Sequence, residues 1–248
     1  MLGKFVINDI FKQKRTKLLL FVITIPTFIS LLLYIDMHIR YKSYLYPLAL
    51  KEGITSWQML VEQQRILYFN EFLPLFCAII ISALFENEYK NNGWILTLTY
   101  PVSRSKVIIS KFITSLIYMI VMLITNIICL IIVGKLSGFP EAVNEMYFAK
   151  IFFIQFMASA AVMVIHLYLT IKNKNTLVSI GTAAVLCIIS SNLFYNESSI
   201  SKFNPYSFAS FVYGFIPVDL KILIIISIFL IVVGLAFTII RFDKKECY

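Results

Sequence analysis

The sequence predicts an all-α integral membrane protein with six transmembrane helices. Hydrophobic residues make up 60% of the 248-residue chain, whereas soluble domains contain roughly 45–50%. Charged residues make up only 14%, and the mean hydropathy is +0.85. The apolar residues lie in six long runs, each with the roughly 17–25 residues that a helix needs to cross a bilayer. Backbone groups inside a bilayer must find hydrogen-bond partners within the protein, so we expect these runs to be helices.

No internal repeat or soluble domain interrupts these runs, so residues 1–248 are predicted to form a single membrane domain of one chain. Pro26 is expected to kink the first span. Only Lys172–Asn175 separates the fourth span from the fifth, which predicts an antiparallel pair joined by a tight turn. The six predicted spans are Leu18–Ile35, Ile66–Phe85, Phe112–Val133, Ile151–Ile171, Thr176–Tyr195 and Ile222–Ile240.

The N-terminal segment and the basic residues predict the orientation. Residues 2–12 place apolar and polar side chains on opposite faces of a helix, which is typical of a helix lying on the inner leaflet. With the N-terminus in the cytoplasm, fourteen of the 22 lysines and arginines lie in inner segments and eight in outer segments. We therefore expect a multi-pass membrane protein with both termini in the cytoplasm. The net charge of +9 then reflects topology and anionic lipid, with no need for nucleic acid.

A polar and aromatic stretch, residues 86–111 (ENEYKNNGWILTLTYPVSRSKVIISK), separates the second span from the third. Pro101 should end a short helix, because the residue before a proline is disfavoured in the α region. Ser103 is then a suitable N-cap for the next helix. A helix over residues 88–99 would bring Trp94 and Leu98 together at i, i+4. Such a helix suits docking into a groove of another protein, and it equally suits lying flat on the inner leaflet.

The outer segments hold the candidate substrate pathway. Residues 36–65 form an aromatic-rich first outer loop, which is either a wall for an amphipathic ligand or an ordinary aromatic belt. Glu71 lies inside the second span, where a carboxylate often marks a pathway, although partial exposure at the outer interface would also explain it. Residues 206–216 are apolar but too short to span, which predicts a re-entrant or interfacial segment. The pathway candidates are Glu71, Tyr44, Trp57, Tyr68, Tyr206 and Phe211.

Motifs for catalysis and cofactor binding are missing from the sequence. No G-x-x-x-x-G-K-[ST] loop occurs, so the chain has no phosphate-binding loop for ATP hydrolysis. The two histidines do not form H-E-x-x-H, and no G-x-S-x-G occurs. We therefore predict no catalytic, cofactor-binding or metal-binding residue. The polar residues Asn126, Gln155 and His166 inside spans are expected to bond to neighbouring helices.

The pattern E-x-E-x-K-N-N-x-W (Glu86 to Trp94), followed by P-V-S-R (101–104) and Lys111, resembles the permeases of lantibiotic and bacitracin immunity ABC transporters. These permeases belong to the ABC type 2 exporter group. The resemblance is specific over residues 86–111 and extends over the whole chain in topology. It implies that residues 88–99 form a coupling helix seated in a cleft of a separate ATPase subunit. On that mapping, the ATPase-coupling residues are Glu86, Glu88, Tyr89, Asn92, Trp94, Leu98, Pro101 and Arg104.

The resemblance also implies a complex of two permease chains, alike or distinct, with two ATPase chains. The sequence and the resemblance together predict the membrane subunit of an ATP-driven exporter that expels an amphipathic antimicrobial peptide from the membrane. The first outer loop is too short for a substrate-capturing domain, which fits lateral capture from the bilayer. Two alternatives stay open: export of another lipid, glycolipid or peptide, and a standalone intramembrane enzyme that uses Glu71 or Glu86.

Overall fold

The computed structural model describes residues 2–14, 16–89, 103–214 and 219–243 of the chain. In this part of the chain all regular structure is helical. Six helices are long and apolar enough to cross a membrane, which confirms the predicted fold class. We number them first to sixth span, and the part of the second that can cross the membrane is Phe69–Glu86. The helices that contain the spans are Leu18–Arg40, Phe69–Tyr89, Arg104–Leu136, Glu145–Asn173, Thr176–Tyr195 and Leu220–Asp243.

The first span is longer than its apolar run predicts. Its helix passes Ile35, ends at Arg40, and continues through a π-helical turn into Tyr46–Glu52. Arg40 Nε lies 2.6 Å from Asp36 Oδ1 one turn earlier, and an i, i+4 ion pair of this kind supports a helix beyond the apolar residues. The predicted outer loop is therefore largely helical, since a further helix occupies Ser56–Gln63. Its N-cap is Thr55, and Thr55 with Gln58 forms a capping box.

The second and third spans begin elsewhere than predicted. Residues 64–67 form a 3₁₀ turn, Tyr68 has a positive φ of 54°, and the second span starts at Phe69 rather than Ile66. Glu71 consequently lies in the first helical turn, where the helix dipole favours a negative charge. The third span begins at Arg104, eight residues before its apolar run. Ser103 occupies the N-cap position as predicted, but its hydroxyl makes no capping hydrogen bond.

Both ends of the described chain lie at one end of the helix bundle, which we call the N-terminal end. The N-terminal helix, Leu2–Gln13, packs there beside the start of the third span. Arg104 Nη1 donates a hydrogen bond of 3.4 Å to the carbonyl of Phe242, close to the end of the sixth span. The fourth and fifth spans meet at this same end in a tight turn, confirming the predicted antiparallel pair.

The segment between the fifth and sixth spans is re-entrant. It starts after Tyr195 at the opposite end of the bundle and forms two 3₁₀ helices, Ser199–Phe203 and Phe208–Tyr213, of which the second is fully buried. Between them, the Tyr206 hydroxyl lies 2.9 Å from Nε2 of His166. His166 is only seven residues, or about 10 Å, from Asn173, where the fourth span ends at the N-terminal end of the bundle. The segment therefore reaches deep into the bundle.

Candidate functional site

A buried cluster of charges joins the N-terminal helix to the second and third spans. Lys111 Nζ lies 2.7 Å from Asp9 Oδ1 and 2.8 Å from Glu88 Oε1. Lys12 Nζ approaches the same Glu88 oxygen at 2.8 Å. The Ser110 hydroxyl donates to the second Asp9 oxygen at 2.6 Å. We call Asp9, Lys12, Glu88, Ser110 and Lys111 the charged cluster.

The charges of this cluster balance, two carboxylates against two ammonium groups. Lys111 is only 1% exposed, and burial of an unpaired ammonium would cost several kcal/mol. All three of its N–H donors are used, because the carbonyl of Leu84 accepts the third at 3.2 Å. Burial alone would raise the pKa of Glu88, but the ammonium groups of Lys111 and Lys12 outweigh it and hold that pKa below the ordinary value. Glu88 is therefore ionised at neutral pH.

The charged cluster lies at the root of the predicted coupling stretch. Glu88 precedes residues 90–102 and Lys111 follows them, while Asn92, Trp94, Leu98 and Pro101 lie outside the described residues. The other predicted coupling residues that the structure describes lie at the same end of the bundle. Glu86 is exposed.

Tyr89 and Arg104 connect this root to two further spans. The Tyr89 hydroxyl donates to the carbonyl of Thr170 in the fourth span at 2.9 Å, and Arg104 contacts the sixth span at Phe242. Sequence reasoning missed Asp9 and the burial of Lys111. The only sequence signal for Asp9 is an acidic side chain three residues after Val6, on the face that the helix buries.

At the opposite end of the bundle, Glu71 forms the floor of a chamber between the second and fifth spans. Its two carboxylate oxygens accept hydrogen bonds from the hydroxyls of Tyr195 at 2.6 Å and Tyr213 at 3.0 Å. Glu71 is only 3% exposed, so partial exposure at the membrane interface does not explain it. The chamber has a volume of about 230 Å³ and is lined by Tyr68, Glu71, Phe72, Cys187, Ile188, Ser191, Asn192 and Tyr195.

Two of the six predicted pathway residues, Glu71 and Tyr68, line this chamber. The Tyr206 ring is buried against His166. Phe211 packs edge-on against Phe194, with ring centroids 5.4 Å apart. The structure therefore places both re-entrant aromatics in the bundle interior rather than in the chamber wall.

Trp57 and Tyr44 lie apart from the chamber. Trp57 is 3% exposed, packs between Phe139 and Phe148, and donates its indole N–H to the carbonyl of Glu141 at 3.1 Å. Tyr44 is exposed on the π-helical turn that extends the first span. Sequence reasoning missed the chamber residues of the fifth span, because nothing in the sequence pairs Tyr195 with Glu71.

The polar residues inside the spans pair across helices, as expected. Gln155 Nε2 donates to Asn70 Oδ1 at 2.7 Å, and Gln64 Nε2 donates to Asn126 Oδ1 at 2.8 Å. His166 Nδ1 lies 3.0 Å from the Ser179 hydroxyl in the fifth span. Among the described residues, no group of histidine, cysteine, aspartate or glutamate side chains is arranged to hold a metal ion.

Comparison with protein families identifies the chain. The family model described as "ABC-2 family transporter protein" matches residues 6–190. This range includes most of the N-terminal helix, the whole charged cluster, the first four spans and most of the fifth. A comparison with curated proteins returns no significant match. Permeases of this family are the transmembrane components of ABC transporters and work with an ATPase on a separate subunit. The chain therefore belongs to the ABC-2 transporter family, as the membrane subunit of an ABC exporter.

Proposed function

We propose that the exported substrate is an amphipathic antimicrobial peptide of the lantibiotic or bacitracin type, and that export confers immunity or resistance. The observation that carries the proposal is the chamber at Glu71, a polar floor with an aromatic rim between two membrane-spanning helices. An amphipathic peptide held in the outer leaflet has polar groups that match the floor and apolar groups that match the rim. The resemblance of residues 86–111 to the permeases of immunity transporters supports the same substrate class.

In this proposal, ATP-driven movement of the partner ATPase enters through residues 90–102. Trp94 and Leu98 would be the apolar contacts in the ATPase cleft, since buried aromatic and aliphatic anchors carry most interface energy. The charged cluster at the root of this stretch ties Glu88 and Lys111 together at 2.8 Å. A push on the stretch would therefore move the second and third spans as one body.

The second span links the coupling stretch to the chamber. Glu88 and Glu71 lie on it, 17 residues or about 26 Å apart. The chamber is bounded on its other side by the fifth span, through Tyr195. A tilt of the second span against the fifth would therefore open or close the chamber. We propose a working unit of two such permease chains, alike or distinct, with two ATPase chains.

Export of a lipid is the second candidate function, because the chamber is too small to enclose a whole peptide. Its volume of about 230 Å³ falls below the roughly 300–1,000 Å³ of pockets that enclose drug-sized ligands. A lipid headgroup fits this space, and so does one side chain of a peptide. Comparing ATPase stimulation by a lantibiotic-type peptide with stimulation by lipid separates the two candidates.

Co-purification with the partner ATPase tests the coupling element. We expect Trp94→Ala combined with Leu98→Ala to abolish the complex and the substrate-stimulated ATPase activity. The matched control is Ile200→Ala combined with Phe203→Ala, which removes two exposed apolar side chains at the opposite end of the bundle and should leave both intact. An undisturbed complex with full coupling in the Trp94 and Leu98 variant would show that the stretch does not couple the subunits.

A further inference from the structure

The chamber at Glu71 opens sideways from the bundle. Tyr68, Phe72 and Ile188 rim it, and each is between about 40% and 60% exposed. Tyr68 directly precedes the second span, while Phe72 and Ile188 lie on the outer faces of the second and fifth spans. In an integral membrane protein these faces border lipid. A ligand can therefore enter the chamber from the bilayer while its apolar part stays in lipid.

The floor of the chamber is a carboxyl group with spare hydrogen-bonding capacity. A carboxylate offers about four acceptor positions, and the hydroxyls of Tyr195 and Tyr213 together with the backbone N–H of Glu71 itself occupy three of them. Among the described residues, no lysine or arginine forms an ion pair with Glu71. Within the same wall, the Ser191 hydroxyl donates to its own helix at Cys187 and keeps its oxygen available as an acceptor.

The walls of the chamber are aromatic. The Tyr68 ring centroid lies 6.3 Å from that of Phe72 and 6.3 Å from that of Tyr195, to which it stands edge-on. Aromatic faces attract cations through their quadrupole. A carboxylate floor with aromatic walls selects a cation and repels phosphate and carboxylate groups.

We propose that this chamber is a binding site for an alkylammonium group. The ammonium would pair with Glu71 and lie against Tyr68, Phe72 and Tyr195, while its alkyl chain leads out past Ile188. A volume of about 230 Å³ fits one lysine-type side chain or one amine headgroup rather than a whole amphiphile. The inference deepens the proposed function, because it names the group by which an exported cationic peptide or amine lipid is recognised.

The test uses the full chain, without its ATPase, in nanodiscs of phosphatidylglycerol, which contains no amine. The probe is a dodecylamine with a photoreactive diazirine near its nitrogen, and the matched neutral probe is the corresponding dodecanol. We expect saturable crosslinks from the amine to the chamber walls around residues 68–72 and 187–195, and none of them from the alcohol. Glu71→Gln should reduce the crosslinking affinity about tenfold or more, since a charge-assisted hydrogen bond is lost.

Two further variants keep this test decisive. Glu197→Gln removes an exposed carboxylate close to the chamber and should leave crosslinking unchanged. Tyr68→Leu removes a rim ring that is 47% exposed, so the fold is retained while amine binding should weaken a few-fold. Equal crosslinking by the alcohol would overturn the proposal, and so would unchanged affinity in a folded Glu71→Gln chain.

Competition identifies the source of the amine. Displacement by a lysine-bearing amphipathic peptide assigns the site to a substrate side chain, and displacement by phosphatidylethanolamine assigns it to a lipid headgroup; both support an ammonium site. The measurement is independent of ATP-driven export. An exporter of antimicrobial peptides without amine binding here would refute this inference alone, whereas amine binding without peptide export would refute only the proposed function.

Discussion

Lys111 and Asp9 form a buried ion pair, with 2.7 Å between Nζ and Oδ1, although 102 residues separate them in the chain. The pair fixes the N-terminal helix to the start of the third span. Through Glu88, the same ammonium also fixes the end of the second span. The N-terminal helix is thus a structural part of the root from which residues 90–102 extend, and we expect it to move with them.

Loss of Lys111 should strongly destabilise the protein. Lys111→Met leaves Asp9 without its ion pair in a buried site, and breaking a buried pair costs about 3–5 kcal/mol. The measurement is the free energy of unfolding in detergent, with protease sensitivity of the N-terminal helix as a local readout. Lys106→Met, an exposed lysine on the same span, is the matched control and should change stability by less than about 0.5 kcal/mol. Equal stability of the two variants would contradict a structural role for the cluster.

Stability should fall with acidification because of Glu88. Its pKa is lowered in the folded protein, since Lys111 and Lys12 outweigh the effect of burial. A lowered carboxyl pKa stabilises the fold above the unfolded value of about 4.3, and this contribution is lost as the pH falls through the folded pKa. The melting temperature should therefore drop below about pH 4.3. Glu88→Gln should have a lower melting temperature than the wild type at pH 7 and a smaller decrease on acidification. The control variant Glu197→Gln should follow the wild type. Identical curves of melting temperature against pH for Glu88→Gln and the wild type would contradict this role of Glu88.

Trp57 should be displaced by a methyl group at Gly134. A Cβ atom on Gly134 would lie 2.6 Å from Trp57 Cη2 and 2.9 Å from Phe139 Cδ2, closer than packed atoms allow. Gly134→Ala is expected to cost about 1–3 kcal/mol through overpacking and to shift the fluorescence of Trp57, one of two tryptophans in the chain. At Gly181 nothing lies within 4 Å of an added Cβ, so Gly181→Ala should change neither stability nor fluorescence. An unshifted spectrum in Gly134→Ala would mean that the two residues are not in contact.

Orientation in the membrane is tested by cysteine labelling. The excess of lysine and arginine predicts that the N-terminal end of the bundle faces the cytoplasm. In a chain whose four cysteines are replaced, Glu197→Cys should react with a membrane-impermeant maleimide in intact cells. Lys106→Cys should react only after permeabilisation. The reverse pattern would invert the topology and place the coupling stretch outside the cell.

Much of the fold could be predicted from the sequence, because a long apolar run in a bilayer has no stable alternative to a helix. The fifth span, Thr176–Tyr195, has the predicted bounds. The first span extends further than hydropathy indicates, since the ion pair of Asp36 with Arg40 continues the helix through polar residues. Helix ends depend on such local pairs, which a hydropathy pattern does not contain.

Only part of the candidate site could be predicted from the sequence. Glu71 stands out because a carboxylate inside an apolar run is conspicuous, but its partners Tyr195 and Tyr213 lie 124 and 142 residues away. In the sequence, Lys111 is one of the inner basic residues and the last residue of the pattern that carries the resemblance, and neither feature indicates that it is buried between two carboxylates. Contacts over such separations arise from the packing of whole helices, so the local sequence around each residue does not indicate them.

We propose that the chain, driven by a partner ATPase, expels an amphipathic antimicrobial peptide from the membrane. The most direct measurement is the amount of a fluorescent lantibiotic-type peptide bound to cells that express the chain with its ATPase. Matched cells carry an ATPase variant that binds but does not hydrolyse ATP. We predict less peptide on the cells with active ATPase and correspondingly more in the medium. Equal amounts of bound peptide in the two kinds of cells would contradict the claim.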